Sequence, residues 1–135
     1  MPSGTVHEVV NTAIIATLAL SDISPLSCCT STTIAIFAGA GIFGTFYLSP
    51  DLDSPNSKPR VRWGIFGFAW SIFPHRGILH NPILAPILLT IPLLPILIIT
   101  MSQFPDRPVY TGAILAANLL QCELHVSLDY IKTLL

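Results

Sequence analysis

Every histidine in this sequence, His7, His75, His80 and His125, can be grouped with three of its seven acidic residues, Asp51, Asp53 and Asp129. Imidazole and carboxylate together are the donor set of zinc, iron and manganese sites. His125 and Asp129 stand four apart, so on a helix they lie one above the other and can hold one ion. Asp51 and Asp53 alternate in PDLD, and in an extended segment both carboxylates would point the same way. His75 and His80 are five apart, which no single helix face accommodates. The stretch PHRGILHNP instead reads as a loop entering a helix, with Gly77 permitting a tight turn. Seven donors exceed the four of a structural zinc. They suit either two divalent ions about 3.5–4 Å apart or one ion whose ligands are held by supporting partners.

Taken singly, several of these residues have a plainer reading. PDLD alone is a solvated turn, His7 an exposed polar residue at a helix start, and HRGILH a basic patch facing anionic lipid. His125 and Asp129 resist such a reading, because ionisable groups in an apolar segment are costly and usually serve a function.

The elements that must position these groups are apolar. Of 135 residues, 52% are hydrophobic and only 10% charged, against roughly a quarter charged in a soluble domain. One domain in a lipid bilayer is the expectation. A net charge of −1 offers no field for nucleic acid, which is not expected as a partner. MPSGTVHEVV lacks a basic leader and reads as mature protein. Cys28, Cys29 and Cys122 show no CxxC spacing and read as small packing residues.

Four apolar segments follow, an all-α bundle of transmembrane helices at about 6–20, 32–48, 82–101 and 109–128. Thr5 and Glu8 have the form of a capping box at the first. The second, with IAIFAGAGIFGTF, is rich in small residues that let helix backbones approach, which predicts the central helix. Residues 50–62 form a polar loop, and WGIFGFAWSIF at 63–73 is an interfacial segment with Trp63 and Trp70 at headgroup depth. In the third, Asn81 is the expected N-cap and Pro82 the first helical residue, while Pro86, Pro92 and Pro95 predict a kink or break. SDISPLS and SQFPDRP are the opposite turns. Asn118 reads as a helix-packing donor, and Glu123 should face away from His125. Lys58, Arg60, Arg62, Arg76 and Lys132 fall on one side and Arg107 on the other, so both termini are expected in the cytoplasm. Four alternating crossings carry all seven candidate donors to that same face, with Asp22 and Asp106 opposite.

PSGTVHE at 2–8, LSPDLDS at 48–54, RWG at 62–64, PHRGILH at 74–80 and HVSLD ending at Asp129 together resemble the bacterial DUF2227 family of metal-binding membrane proteins. More distantly the chain resembles the YdjM-like membrane-bound metal-dependent hydrolases. The resemblance spans nearly the whole chain. It implies His7, Asp51, Asp53, His75, His80, His125 and Asp129 as metal-site residues and a bacterial inner-membrane location. It also implies metal-dependent hydrolysis; the membrane setting and Arg76 favour a small-molecule or lipid substrate, a phosphoester or lipid headgroup, with Asp53 accepting a proton and Arg76 stabilising developing negative charge. The alternative is a non-catalytic, metal-stabilised membrane subunit or scaffold. Such families read HRGxSHS or HRGxTHS, whereas this chain places Leu79 and Asn81 where the hydroxyls would stand.

Overall fold

Small residues in the second apolar segment decide how the helices meet. The computed structural model describes residues 4–21, 29–75, 77–103 and 107–134. Among them are six α-helices and no strand: α1 (Gly4–Leu20), α2 (Ser31–Tyr47), α3 (Lys58–Arg62), α4 (Leu84–Thr90), α5 (Leu94–Gln103) and α6 (Arg107–Leu134). Helix α2 packs most extensively on α6 and next on α1. A Cβ at Gly41 would meet Ile15 at 2.9 Å, and one at Gly44 would meet Gln121 at 3.0 Å. These two glycines therefore set the α1–α2 and α2–α6 spacing. Replacing Gly44 with Leu is expected to destabilise the fold by about 1–3 kcal/mol, the usual cost of overpacking, read as a lower thermal midpoint in detergent.

Two buried clusters fill the bundle. Ile15, Phe37, Ala113 and Ala117 lie between α1, α2 and α6, while Leu48, Leu52, Leu79, Leu89, Leu93, Leu97, Ile114 and Cys122 lie between α6 and the turns and helices of the second half. Cys122 is thus a packing residue, as expected; Cys28 lies outside the described residues. Between the clusters run buried amide bonds. Asn118 Nδ2 donates to the Pro86 carbonyl at 3.2 Å and to Thr90 Oγ1 at 3.0 Å, and Asn11 Nδ2 donates to the Gln121 carbonyl at 3.2 Å. The Pro86 carbonyl also accepts from Thr90 Oγ1 at 2.7 Å.

The prolines break the third segment as expected: α4 ends at Thr90, a 3-10 turn covers Ile91–Leu93, and α5 resumes at Leu94. Its start differs from expectation. The first α-helical residue is Leu84 rather than Pro82, yet Asn81 still serves as a cap, its Oδ1 accepting from the amides of Ile83 (2.9 Å) and Leu84 (3.0 Å). The capping box at Thr5 is not formed. Helix α1 is already under way at Gly4, and tertiary partners claim both side chains: Lys58 Nζ donates to Thr5 Oγ1 at 2.7 Å, and Arg62 Nη1 donates to Glu8 at 2.6 Å. Helix α6, the fourth expected apolar segment, is also longer than its apolar core, 28 residues, about 42 Å at 1.5 Å per residue.

Residues Gly64–Ile72 form a 3-10 segment rather than a membrane crossing. Trp63 and Trp70 pack edge to face, and the Trp63 indole donates to the Tyr47 carbonyl at 2.7 Å. Gly67 must be glycine, since a Cβ there would lie 2.5 Å from the Arg60 carbonyl oxygen. By length and composition, two stretches suffice to cross a membrane, Ser31–Asp53 and Leu84–Gln103, and Thr5–Leu20 is a shorter apolar helix. Most of SDISPLS, and Phe104, Pro105 and Asp106 of SQFPDRP, lie outside the described residues. Asp22 lies outside them as well.

Candidate metal centre

Each candidate donor sits where an element ends, and the α1–α2–α6 packing sets those ends side by side. His7 lies in the first turns of α1 and His125 and Asp129 near the end of α6. Asp51 and Asp53 lie in a 3-10 turn, Pro50–Asp53, directly after α2, and His80 closes a second 3-10 turn, Ile78–His80. Leu52 and Leu79, both fully buried in the core cluster, pin these turns to each other. Gly77 makes the second turn possible: its amide donates to the Pro74 carbonyl at 2.9 Å, and a Cβ would meet that oxygen at 2.8 Å.

The first turn corrects the expectation of a shared direction for Asp51 and Asp53. A 3-10 turn has three residues per revolution, so side chains two apart diverge. Asp51 faces inward to His80 and His125, and Asp53 stands behind His80. The seven donors accordingly divide into an inner set and a supporting set.

One ligand atom each from Asp51, His80, His125 and Asp129 lies within 4.8 Å of all the others. His80 Nε2 is 3.3 Å from Asp129 Oδ2 and 3.8 Å from Asp51 Oδ1, and His125 Nε2 is 3.5 Å from Asp51 Oδ1 and 3.7 Å from Asp129 Oδ2. Around a zinc ion with bonds of about 2.0–2.2 Å, tetrahedral ligand edges are about 3.3–3.6 Å, which these spacings approach. Burial supplies an independent test. The Nε2 atoms of His80 and His125 are buried and make no hydrogen bond, although an orphaned buried polar atom costs about 1–3 kcal/mol. Their carboxylate neighbours are close but not aligned as hydrogen-bond acceptors. Two imidazole nitrogens left open toward two carboxylates suit a divalent cation.

The supporting set fixes the inner one. Ser49 Oγ is hydrogen-bonded to His125 Nδ1 at 3.1 Å, while Asp53 Oδ2 lies 3.3 Å from His80 Nδ1, close but not aligned as a hydrogen bond, and in both rings Nε2 is turned to the centre. Carboxylate or hydroxyl partners of this kind hold ligating histidines in one tautomer. Asp53 is buried and its other oxygen pairs with His75 Nδ1 at 2.9 Å, His75 being partly exposed. His7 Nε2 approaches Asp129 Oδ1 at 3.2 Å, and its ring stacks on His125 with centroids 4.2 Å apart. Arg76 lies outside the described residues.

Burial disfavours charge on His80, but the neighbouring carboxylates, Asp53 foremost and then Asp51 and Asp129, outweigh it and hold its pKa above the ordinary histidine value. A proton on His80 competes directly with a cation, so metal binding is expected to release protons and metal affinity to fall as pH drops through the raised pKa of His80. Calorimetric titration in buffers of different ionisation enthalpy checks this.

A family model described as uncharacterized metal-binding protein, DUF2227, matches residues 2–129, a span holding all seven donors. The chain belongs to the DUF2227 family. An uncharacterized protein of Aquifex aeolicus (strain VF5) is 51% identical over 47 residues, 32% of this chain and 33% of that protein, so the match spans about a third of the relative's length. No solved structure matches the chain. Within this DUF2227 member, the departures at Leu79 and Asn81 have structural uses: Leu79 is fully buried in the core, and the Asn81 side chain caps the helix entry. Ser49 escaped the reading of the sequence because Ser-Pro after a helix looks only like a stop signal. Asn11 and Gln121, buried one turn below His7 and His125, carried no more signal than any amide in an apolar helix.

Proposed function

We propose that this chain is a membrane-embedded metal protein in which Asp51, His80, His125 and Asp129 hold one divalent ion, zinc, iron or manganese, and that it acts as a metal-dependent hydrolase at the cytoplasmic face. The observation that carries the proposal is the pair of buried, unbonded Nε2 atoms facing two carboxylates. Helices α1, α2, α4–α5 and α6 serve as the four crossings, with both termini cytoplasmic in a bacterial inner membrane. Two of those crossings are long and apolar enough by themselves. The other two, α1 and α6, pack their polar faces inward: Asn11, Asn118, Gln121 and His125 are all at most 2% exposed, as lipid requires of polar groups in its interior.

A bound ion supplies Lewis-acid activation of water and of a phosphoester or ester oxygen. The protein's own groups then have distinct roles. Asp51 and Asp129 are partly open to solvent, with side chains 22% and 20% exposed, leaving an approach to the centre beside them. Asp53, joined to both His80 and the exposed His75, accepts a proton and passes it outward through His75. Ser49 and Asp53 keep the two imidazoles oriented. Replacing Ser49 with Ala is expected to weaken metal binding about tenfold, the lower end for such supporting partners, measured by competition with a chromogenic chelator.

Screening of phosphomonoester, phosphodiester and carboxylic ester substrates tests the hydrolase reading. Activity that disappears in His80→Ala and Asp129→Asn supports it, and activity unaffected by both rejects it. A second reading is favoured by the count of inner donors: four protein groups fill a tetrahedral shell, as in structural sites, and tie the two 3-10 turns to α6. Full metal loading with no turnover of any ester would select that non-catalytic clamp.

A further inference from the structure

The surface beside the metal centre carries a second site. An apolar groove of about 250 Å³ runs between the 3-10 segment Gly64–Ile72 and the broken third crossing, lined by Trp70, Ile72, Phe73, Leu88, Ile91 and Pro92. Its outer edges continue into exposed apolar side chains, Phe68 and Ile72 each 77% exposed and Ile87 60%. Helix α4 supplies one wall, and the 3-10 turn at Pro92 interrupts the helix there. A charge stands at the rim. The Arg60 guanidinium donates to Ser71 Oγ, between Trp70 and Ile72, and pairs with no carboxylate among the described residues. Glu8, by contrast, engages Arg62 and Lys58. Phe73, which lines the groove, is two residues before His75, which is bonded to Asp53 behind the metal ligands.

We propose that this groove binds an anionic phospholipid, with one acyl chain between Trp70 and Leu88 and its phosphate against Arg60. The lining is aliphatic and aromatic and opens onto the surface that the membrane reading gives to lipid, so an acyl chain is the occupant at hand. Arg60, without a carboxylate partner among the described residues and bonded to Ser71 between the groove residues Trp70 and Ile72, favours a lipid of negative charge. The segment that lines the groove runs on from Phe73 to His75, which is bonded to Asp53, and on the hydrolase reading phospholipids are then the substrate class. This deepens that reading and rests on it.

Trp70 is one of only two tryptophans, so Trp63→Phe leaves a single reporter inside the groove. In vesicles or nanodiscs, phosphatidylglycerol with brominated chains is expected to quench Trp70 at a mole fraction several-fold lower than brominated phosphatidylcholine. Arg60→Gln should bring the two lipids together, and Ala69→Phe, at a position that also lines the groove, should fill it and weaken both. Metal content measured on the same samples shows whether these variants are folded. Identical quenching curves for the two lipids, unchanged by Arg60→Gln, mark ordinary boundary lipid and overturn the proposal. Shielding of Trp70 that follows protein concentration rather than lipid identifies a second copy in the groove and also overturns it. Lipid-selective quenching retained in metal-free His125→Ala supports the groove independently of the metal reading. Failure of the protein to associate with vesicles at all rejects both the groove and the membrane reading.

Discussion

Asp129→Asn protein is expected to lose its metal, with affinity reduced more than about 100-fold, beyond the range for an outer partner alone. The carboxylate of Asp129 works in two directions. Oδ2 faces both inner imidazoles, 3.3 Å from His80 and 3.7 Å from His125, while Oδ1 faces His7 at 3.2 Å. An amide keeps the volume and removes the charge, and one of its two heads presents a donor where an ion needs an acceptor. His80→Ala should have a comparable effect, because it removes an inner nitrogen and leaves Asp53 buried beside an empty position. His75→Ala is the contrasting variant, expected to cost far less since His75 bonds to Asp53 and meets His80 only edge to face, with centroids 5.7 Å apart, and is not one of the inner four donors. Metal analysis of the three purified variants separates them, and equal loading in all three would mean that the inner set has been wrongly drawn.

Chelation of the wild-type protein is the second large effect. Without an ion, the carboxylates of Asp51 and Asp129 face one another within 4.8 Å and the Nε2 atoms of His80 and His125 are stranded. A cation at a thousand times its dissociation constant contributes about 4 kcal/mol, which for a chain of this size corresponds to a thermal midpoint shift on the order of 10 °C. The chelated protein should melt that much lower and recover on adding back zinc, iron or manganese. A midpoint insensitive to chelator, in protein shown to have carried metal, would assign the ion no part in holding the turns to α6.

How much of this was legible in the sequence depends on the range of the interaction concerned. His125 and Asp129 share a face because of helical periodicity alone, and the break after Thr90 follows from proline chemistry; both are local. The gathering of His7, the PDLD turn and His80 at one end follows from alternating apolar segments whose ends carry the polar residues. Its finer sorting does not. That Asp51 faces inward and Asp53 backs His80 depends on a 3-10 turn, where an extended segment would have aimed both alike. Glu8 had the spacing of a capping residue, but Arg62, fifty-four positions away, claims it at 2.6 Å. Ser49 and Asn81 were visible only as punctuation around helices, and while Asn81 does cap the entry to α4, Ser49 also steadies His125. For Glu8 and Ser49 the deciding partner is distant in sequence, Arg62 and His125 respectively, and local pattern carries no record of it.

X-ray absorption at the edge of the metal in the purified protein addresses the arrangement most directly. The expected spectrum shows a shell of nitrogen and oxygen donors only, with the outer-shell scattering of two imidazoles, and His125→Ala should lose either the imidazole signal or the metal itself. A sulfur scatterer at about 2.3 Å, pointing to a cysteine such as Cys122, or a wild-type spectrum unchanged in His125→Ala, would place the ion elsewhere and contradict the Asp51–His80–His125–Asp129 centre.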